Sequence, residues 1–479
     1  MTDFAAKARE LMPQLTEDLI ELTKIPSIAF PNHPKEEVRR AHDHLVELLR
    51  GAGVTDIDSL DLPDTSPVIM GHIPAPPDAP TVLLYGHYDV QPSGDESLWE
   101  SPPFEPTRID GGAIRGRGVA DCKSNLIAHI GALRAWDGRP PVGVRIVFEG
   151  QEEYGSAFDD FPPQKPELFA ADAMVIADMG NVRPGEPTLT VALRGAADLV
   201  VEVRTLKKAI HSGEFGGAAP DALLTLMHAL STLHDSNGDV AVNGLRRDPW
   251  NGTSYSDKEF AELAGMLPGM PQLGSGPIGE RLWHGPSITV IGLDAPAVDT
   301  AASAVVPYAR AAISLRVHPE QDVKEGQRAL VTHLEKLRPF GIELTVTPGD
   351  AGAGFAAPTG GPAYTAMQKS MRKAWGNTPV EMASGGSIPL VNALSKAAPN
   401  AEILMLGAED GHCGLHAPNE RVLLDEIEKV VIAEATFFAE FAAGFTASLF
   451  LDTMGVPPCR ATTDPTATPT PQSSRPPRP

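Results

Sequence analysis

The sequence predicts an α/β protein, a mixed and mostly parallel sheet between helices, interrupted by an inserted α+β unit. Three observations predict it. Apolar runs of strand length alternate with stretches of helical periodicity, the pattern of central strands covered on both faces. From about residue 196 to 355 the strand-like runs become half-apolar and alternating, which marks a separate smaller unit. Outside that stretch, the apolar runs end abruptly in ionisable residues.

Taken in order, Phe4, Ala5, Leu11, Leu15, Leu19, Ile20 and Leu22 recur at helical spacing over residues 4–25, and Pro26 ends the pattern. A second helix is expected over 36–51. Strands follow at 81–87 (TVLLYGH), 142–150 (VGVRIVFEG), 173–178 (AMVIAD), 188–195 (TLTVALRG) and 402–407 (EILMLG), with a helix over 123–136. The inserted unit carries strands at 198–205, 287–294, 308–317 and 341–348 and helices at 220–234 and 322–337. The α/β pattern returns near Gly361 and closes with a helix from Leu424 to about Phe445. Residues 457–479 hold 8 prolines among Thr, Ser and Arg, a composition that cannot pack a core, so a disordered tail is expected. The expected organisation is an α/β domain over 1–195 and 356–455, an inserted α+β domain over 196–355, and a tail over 456–479.

A length of 479 residues exceeds what one hydrophobic core usually supports, and 42% hydrophobic residues suffice for more than one core. Against 39 basic side chains stand 62 acidic ones, a net charge of −23, which argues against a nucleic-acid or anionic-membrane partner. Cys122, Cys413 and Cys459 are too few and too scattered for a disulfide framework or a thiolate zinc site. The N-terminal residues lack the apolar core of a secretory signal and no apolar run reaches about 18 residues, so a cytoplasmic location is expected.

The chemistry lies at the strand ends. The first run leads into His87 and Asp89, the second into Glu149, Glu152 and Glu153, the third into Asp178, and the last into Glu409, Asp410, His412 and His416. In open α/β sheets ligands bind outside the carboxyl ends of the strands. Residues i and i+2 of an extended segment point the same way, so His87 can face a site with Asp89 beside it. Carboxylates gathered at one edge repel one another unless a cation neutralises them. A mixed set of His and carboxylate suits zinc, manganese or cobalt better than calcium or magnesium. Each residue alone has a plainer role open to it: His87 a satisfied strand-end histidine, Asp121 a helix N-cap, Glu152 and Glu153 a solvated pair, Asp178 a turn residue. Together these plainer roles require independent coincidences in separate segments.

The motifs GHYDVQP (86–92), GRGVADCKS (116–124), EGQEEYGS (149–156), AIHSGEFGG (209–217), SGGSIP (384–389) and HAPNE (416–420) occur in this order. With them the chain resembles the M20 family of co-catalytic zinc peptidases, most of all the branch of cytosolic non-specific dipeptidases and carnosinases. The resemblance covers about Ile25 to Glu420. It implies a zinc-peptidase-like catalytic domain in which His87 and Asp178 serve one metal, Glu153 and His416 the second, and Asp121 bridges both. Two divalent ions, zinc first with manganese or cobalt as alternatives, would activate a water for which Glu152 is the general base, while Asp89 orients His87. It further implies that His211 reaches the partner subunit's active site in a homodimer formed through the inserted domain, and that Arg316, Gly386 and Ser387 hold the substrate's carboxylate. Close dipeptidase relatives often carry Arg-Glu where this chain has Ala383 and Ser384, so substrate contacts there are expected to differ. His129 and His412 are read as structural.

The expected activity is therefore hydrolysis of dipeptides. The alternatives are an N-acyl-amino-acid deacylase or carboxypeptidase of the same fold and, from another class, a catalytically inactive scaffold. The scaffold is weakened by the presence of Glu152 and of all the ligands. A dinucleotide site at Gly116 and Gly118 is excluded because Asp121 stands where a third glycine is needed and would repel pyrophosphate. A serine-hydrolase elbow at Ser387 fails because Pro389 replaces the required glycine.

Overall fold

The computed structural model describes residues 2–386 and 388–453. Ser387 and the proline-rich tail expected over 456–479 lie outside them. The main sheet has nine strands. Its centre is parallel: Gly143–Glu149, Thr81–His87, Ala173–Ala177 and Glu402–Leu406 lie side by side, so their carboxyl ends open on one edge. Buried apolar residues fill these strands, with Val82, Leu83, Leu84 and Tyr85 all at 0% exposure, as expected of strands covered on both faces. Beyond Glu402–Leu406 comes Thr188–Leu193, met antiparallel through Met405 and Thr190, and it carries Val380–Ser384 in parallel.

The other flank is antiparallel. Asp56–Leu60 and Val68–Ile73 extend the sheet past Gly143–Glu149. Neither strand is expected from the sequence. They are short, and Pro63, Asp64 and Pro67 between them carry a turn signal that masks the pairing.

Helices Phe4–Thr23, Asn125–Ala135, Pro362–Trp375 and Leu424–Thr453 pack on one face through Leu15, Leu19, Leu126, Ile130, Met367, Val430 and Phe437. The last of these runs past the expected end near Phe445. On the other face the helix Pro389–Ala397 and the short turns around Phe158 and Phe169 cover Leu83, Tyr85, Val147 and Met405. The result is three layers, helix on sheet on helix.

The chain leaves this sheet at Arg194 and enters a second sheet, four antiparallel strands in the order Ser287–Asp294, Tyr308–Val317, Gly195–Arg204, Thr345–Gly352. The last begins at Thr345, later than expected, because Pro339–Gly341 forms a short helical turn in which Phe340 takes φ of 55°. Helices Ala222–Leu230 and Val323–Lys336 cover one face and close a separate core with Leu199, Val201, Leu226, Ile313, Leu315, Leu330 and Leu334. One part of the inserted stretch does not belong to this core. Trp250, Tyr255, Leu282 and Trp283 pack instead against Ala192, Met382 and Ala383 of the main sheet. No helix among the described residues is long and apolar enough to cross a membrane.

Candidate active site

His87 ends its strand at the carboxyl edge of the parallel sheet and is 1% exposed. Its Nδ1 lies 3.1 Å from the Asp89 carbonyl oxygen and 3.4 Å from Asp89 Oδ1, which turns Nε2 toward the site. Nε2 lies 3.0 Å from Asp121 Oδ1 and 3.1 Å from Asp178 Oδ1. Asp178 follows Ala173–Ala177, the neighbouring strand. Asp89 also joins two turns. Its Oδ1 and Oδ2 accept the backbone N–H groups of Glu152 (3.0 Å) and Glu153 (3.1 Å), locking the turn after Gly143–Glu149 against the His87 turn.

The other oxygen of Asp121 faces the opposite way. Oδ2 lies 3.0 Å from His416 Nε2, and the same nitrogen lies 3.2 Å from Glu153 Oε2, which also accepts from Gln91 Nε2 at 2.9 Å. Asp121 thus stands between two groups. His87, Cys122 and Asp178 present donor atoms within 4.8 Å of one another, as do Asp121, Glu153 and His416, and Asp121, Asp178 and Glu409. Two ligands of one tetrahedral ion at about 2.0–2.2 Å would lie roughly 3.3 Å apart. The observed separations of 3.0 to 3.2 Å come within a few tenths of that, so the imidazole and carboxylate donors fit divalent cations.

Electrostatics agree. Burial alone would raise the Asp121 carboxyl, but the hydrogen bonds from His416 and His87 hold it well below the usual carboxylate range. The same contacts with Asp121 and then Glu153 push His416 up to about 10. Burial pushes Glu152 and Asp178 upward, opposed in both by His87. Cys122 is pushed up by burial and donates to the Ala177 carbonyl at 2.9 Å, so it stands as a thiol within the cluster.

The Asp121 loop is held by a residue that belongs to the HAPNE motif but has no role legible in the sequence. Glu420, fully buried, accepts from the backbone N–H groups of Gly118 (2.9 Å), Ala120 (2.9 Å) and Asp121 (3.1 Å) and from Arg117 Nη1 (2.7 Å). Gly118 turns the loop at φ of 81°, and a Cβ there would come within 2.3 Å of Val90. Asp121 is thereby aimed by its backbone and is not a helix N-cap: the helix that follows begins at Asn125.

Of the substrate-contact residues, Arg316 lies in Tyr308–Val317, opposite Ala196 and Ser287. A neighbouring cation is not among the residues expected from the sequence. Arg194, 8% exposed, follows Leu193 at the end of its strand; Nη1 donates to Ser287 Oγ at 3.1 Å and to the Gly285 carbonyl at 3.4 Å. Its Nε has no partner, and burial together with repulsion from Arg316 pushes it down to about 10. Neither guanidinium is paired with a carboxylate among the described residues. A Cβ on Gly385 would come within 3.1 Å of Arg194, so this cationic end lies directly behind the Gly385–Gly386 turn. A signal that could find Arg194 is present in the sequence: it too is a charge closing an apolar run, TLTVALRG.

His211 stands apart. It sits in the two-residue strand Ile210–His211 of the inserted stretch, is exposed, and its Nδ1 accepts from the Gly213 N–H at 3.1 Å. No hydrogen bond joins it to the cluster within the described residues of the chain. His129 is buried between Glu434 and the Tyr85 carbonyl, and the His412 backbone N–H caps onto Asp410.

A mixed α/β layer fold with His and carboxylate donors gathered at the carboxyl edge defines a metal-dependent hydrolase. The model of the peptidase family M20/M25/M40 matches residues 83–440, and the chain belongs to that family. It is an M20 metallopeptidase, and it is 37% identical over 399 residues to the cysteinylglycine-S-conjugate dipeptidase of Corynebacterium striatum, covering 82% of this chain and 87% of that one. It is also 26% identical over 430 residues to human Beta-Ala-His dipeptidase, covering 84% of each. Among solved structures, the Saccharomyces cerevisiae di-peptidase Dug1p shares the fold at a TM-score of 0.77 and 24% identity, with 92% of this chain and 98% of that one covered.

Proposed function

We propose that this chain hydrolyses dipeptides bearing a free C-terminal carboxylate, using two divalent cations, zinc foremost and manganese or cobalt as alternatives. The observation that carries the reading is the division of Asp121, one oxygen toward His87 and Asp178 and the other toward His416 and Glu153. Bound divalent cations supply Lewis acidity, polarising a scissile carbonyl and making water acidic enough to lose a proton near neutrality. Glu152 is the group that accepts that proton and returns it to the leaving amine, a role for which a carboxyl raised by burial is suited. Asp89 positions both His87 and the Glu152 backbone. Arg316 and the Gly386 turn, with Ser387, receive the substrate's carboxylate, and Arg194 adds a second cation to that end.

The inserted domain, 196–355, serves in this reading as the lid and dimer contact of a catalytic domain formed by 1–195 and 356–455. Val290, Ile291 and Leu293 on its edge strand are 43%, 60% and 52% exposed, an apolar edge that a second copy would cover. Such a homodimer gives His211 a route into the partner's site as an oxyanion donor. A cytoplasmic location is part of the same reading, supported by the buried free thiols Cys122 and Cys413.

The test is dialysis against a chelator, followed by assay of a dipeptide panel beside N-acetyl amino acids. Dipeptide hydrolysis should vanish and return on adding zinc, manganese or cobalt. Full activity in protein shown to be metal-free would contradict the mechanism, and cleavage confined to acyl amino acids would replace the substrate class.

A further inference from the structure

Glu409 is carried to the metal donors by a turn that leaves it little freedom. It opens the two-residue strand Glu409–Asp410, which pairs in parallel with Gly180–Asn181, just beyond Asp178. A Cβ on Gly180 would come within 2.4 Å of the Glu409 carbonyl carbon, so only glycine permits this approach. The Glu409 side chain is buried at 6% exposure, and one of its oxygens comes within 4.8 Å of oxygens of both Asp121 and Asp178. We infer that Glu409 is a further ligand of the cation held by His87 and Asp178, a role that makes the two metal positions unlike. The inference rests on the two-cation reading of the site and adds a donor to the set expected from the sequence.

A buried carboxylate needs a cation or a full set of hydrogen bonds. Other buried carboxylates nearby in the fold have basic partners: Arg421 holds both oxygens of Asp410, Arg117 holds Glu420, and His129 faces Glu434. Glu409 has the amide of Asn125, whose Nδ2 donates to Oε1 at 3.1 Å, and no basic side chain pairs with it among the described residues. A divalent ion at Asp121 and Asp178 supplies the missing charge.

Asn125 behaves as the partner of a ligand does. Fully buried at the start of the helix that follows the Asp121 loop, it accepts from the Ala408 N–H through Oδ1 at 2.8 Å while Nδ2 holds Glu409. One amide thus fixes both the backbone and the carboxylate of this turn, as groups behind a ligating carboxylate do. Oxygens bound to one ion at about 2.0–2.2 Å lie no more than about 4.4 Å apart. The oxygens of Asp121, Asp178 and Glu409, all within 4.8 Å of one another, therefore need to close by a few tenths at most. The thiol of Cys122 also lies within 4.8 Å of the His87 and Asp178 donors, but it is turned to the Ala177 carbonyl at 2.9 Å and does not take that place.

The first position then joins one imidazole to the carboxylates of Asp121, Asp178 and Glu409, whereas the second joins His416 to Asp121 and Glu153 alone. Carboxylates suit manganese and imidazole suits zinc, so the first position is the one that better admits the harder ion.

The test is zinc binding to stripped protein, measured by calorimetry against a competing chelator. Glu409→Gln keeps the size of the side chain and removes its charge. In a His416→Ala background, where the first position remains, it should weaken zinc binding about tenfold or more, since even a group behind a ligand is worth about 10- to 100-fold. In an Asp178→Ala background, where the second position remains, it should leave binding unchanged. Equal affinity with and without Glu409→Gln in folded His416→Ala protein overturns this inference and leaves the two-cation reading standing, as does an equal or larger effect in the Asp178→Ala background. Should the variants fail to fold by circular dichroism, anomalous scattering from zinc in crystals of the parent decides: a Glu409 oxygen at about 2.0–2.2 Å from the ion beside His87 bears the inference out, and one beyond about 3 Å overturns it. A parent that binds no zinc overturns both.

Discussion

The two sheets of this chain break opposite rules. The main sheet buries ionisable groups: His87, Asp89 and Glu149 are 1%, 0% and 0% exposed at the ends of its parallel strands. The inserted sheet exposes apolar surface, with Ile291 and Leu293 more than half exposed on its edge. A buried charge is costly unless it is paired or bound to a cation, and a long apolar edge invites another chain. The first departure therefore marks the metallopeptidase site, and the second is the edge on which we propose that a copy of the chain docks. Each can be broken separately.

The largest effect belongs to the buried charges. Glu152→Gln keeps the shape and removes the base, so turnover should fall about 10² to 10⁴-fold while metal content stays at the parent level. A variant that retains half the parent rate would remove Glu152 from this role. The exposed edge comes next. If this edge seats a second copy, Ile291→Arg should convert the proposed dimer to monomer in sedimentation and, if His211 enters the neighbouring site, lower kcat by about 10²-fold. Mixing inactive His211→Ala with inactive Glu152→Gln protein should restore activity once subunits exchange, since one hybrid site then holds both groups. No recovery despite proven exchange would place the whole site in one chain.

The smallest effect sharpens the meaning of a buried carboxyl that is not a ligand. Glu149 accepts from Tyr85 Oη at 3.0 Å and Ser156 Oγ at 3.1 Å, and burial, with the charge of Asp159 added, pushes it up to about 8. A folded-state value above the unfolded one means that its contribution is whole below the unfolded pKa of about 4.3 and is lost as pH rises through about 8. Glu149→Gln removes this titration, so the thermal midpoint of the variant should fall less than the parent's between about pH 5 and 9. Parallel curves would show that Glu149 does not take up a proton on folding.

The same contrast separates what is legible in the sequence from what is not. The catalytic strands are legible because a run such as VLLYGH ends in a residue that has no business in a core, and Asp178 and Glu153 follow the same logic. Arg194 follows it too, but a lone base closing a strand has no second base near it in the sequence to mark a site; Arg316 comes beside it only through the fold. Glu420 lies within the HAPNE motif, yet only the fold shows its carboxylate collecting three backbone N–H groups from a loop some 300 residues earlier. Tyr255 and Trp283 are hidden for another reason: the stretch between Trp250 and Trp283 holds one short helix, Asp257–Leu263, before the turn that carries Trp283, and its packing partner Met382 lies about a hundred residues on. Periodicity reports which face is buried, not against what.

Metal content per chain tests the central claim most directly. Emission spectroscopy on protein purified, stripped and reloaded with zinc should find two ions per chain in the parent and fewer than two in Asp121→Ala, with the fold checked by circular dichroism. Two ions retained by folded Asp121→Ala would contradict the assignment of that carboxylate as the group both cations share.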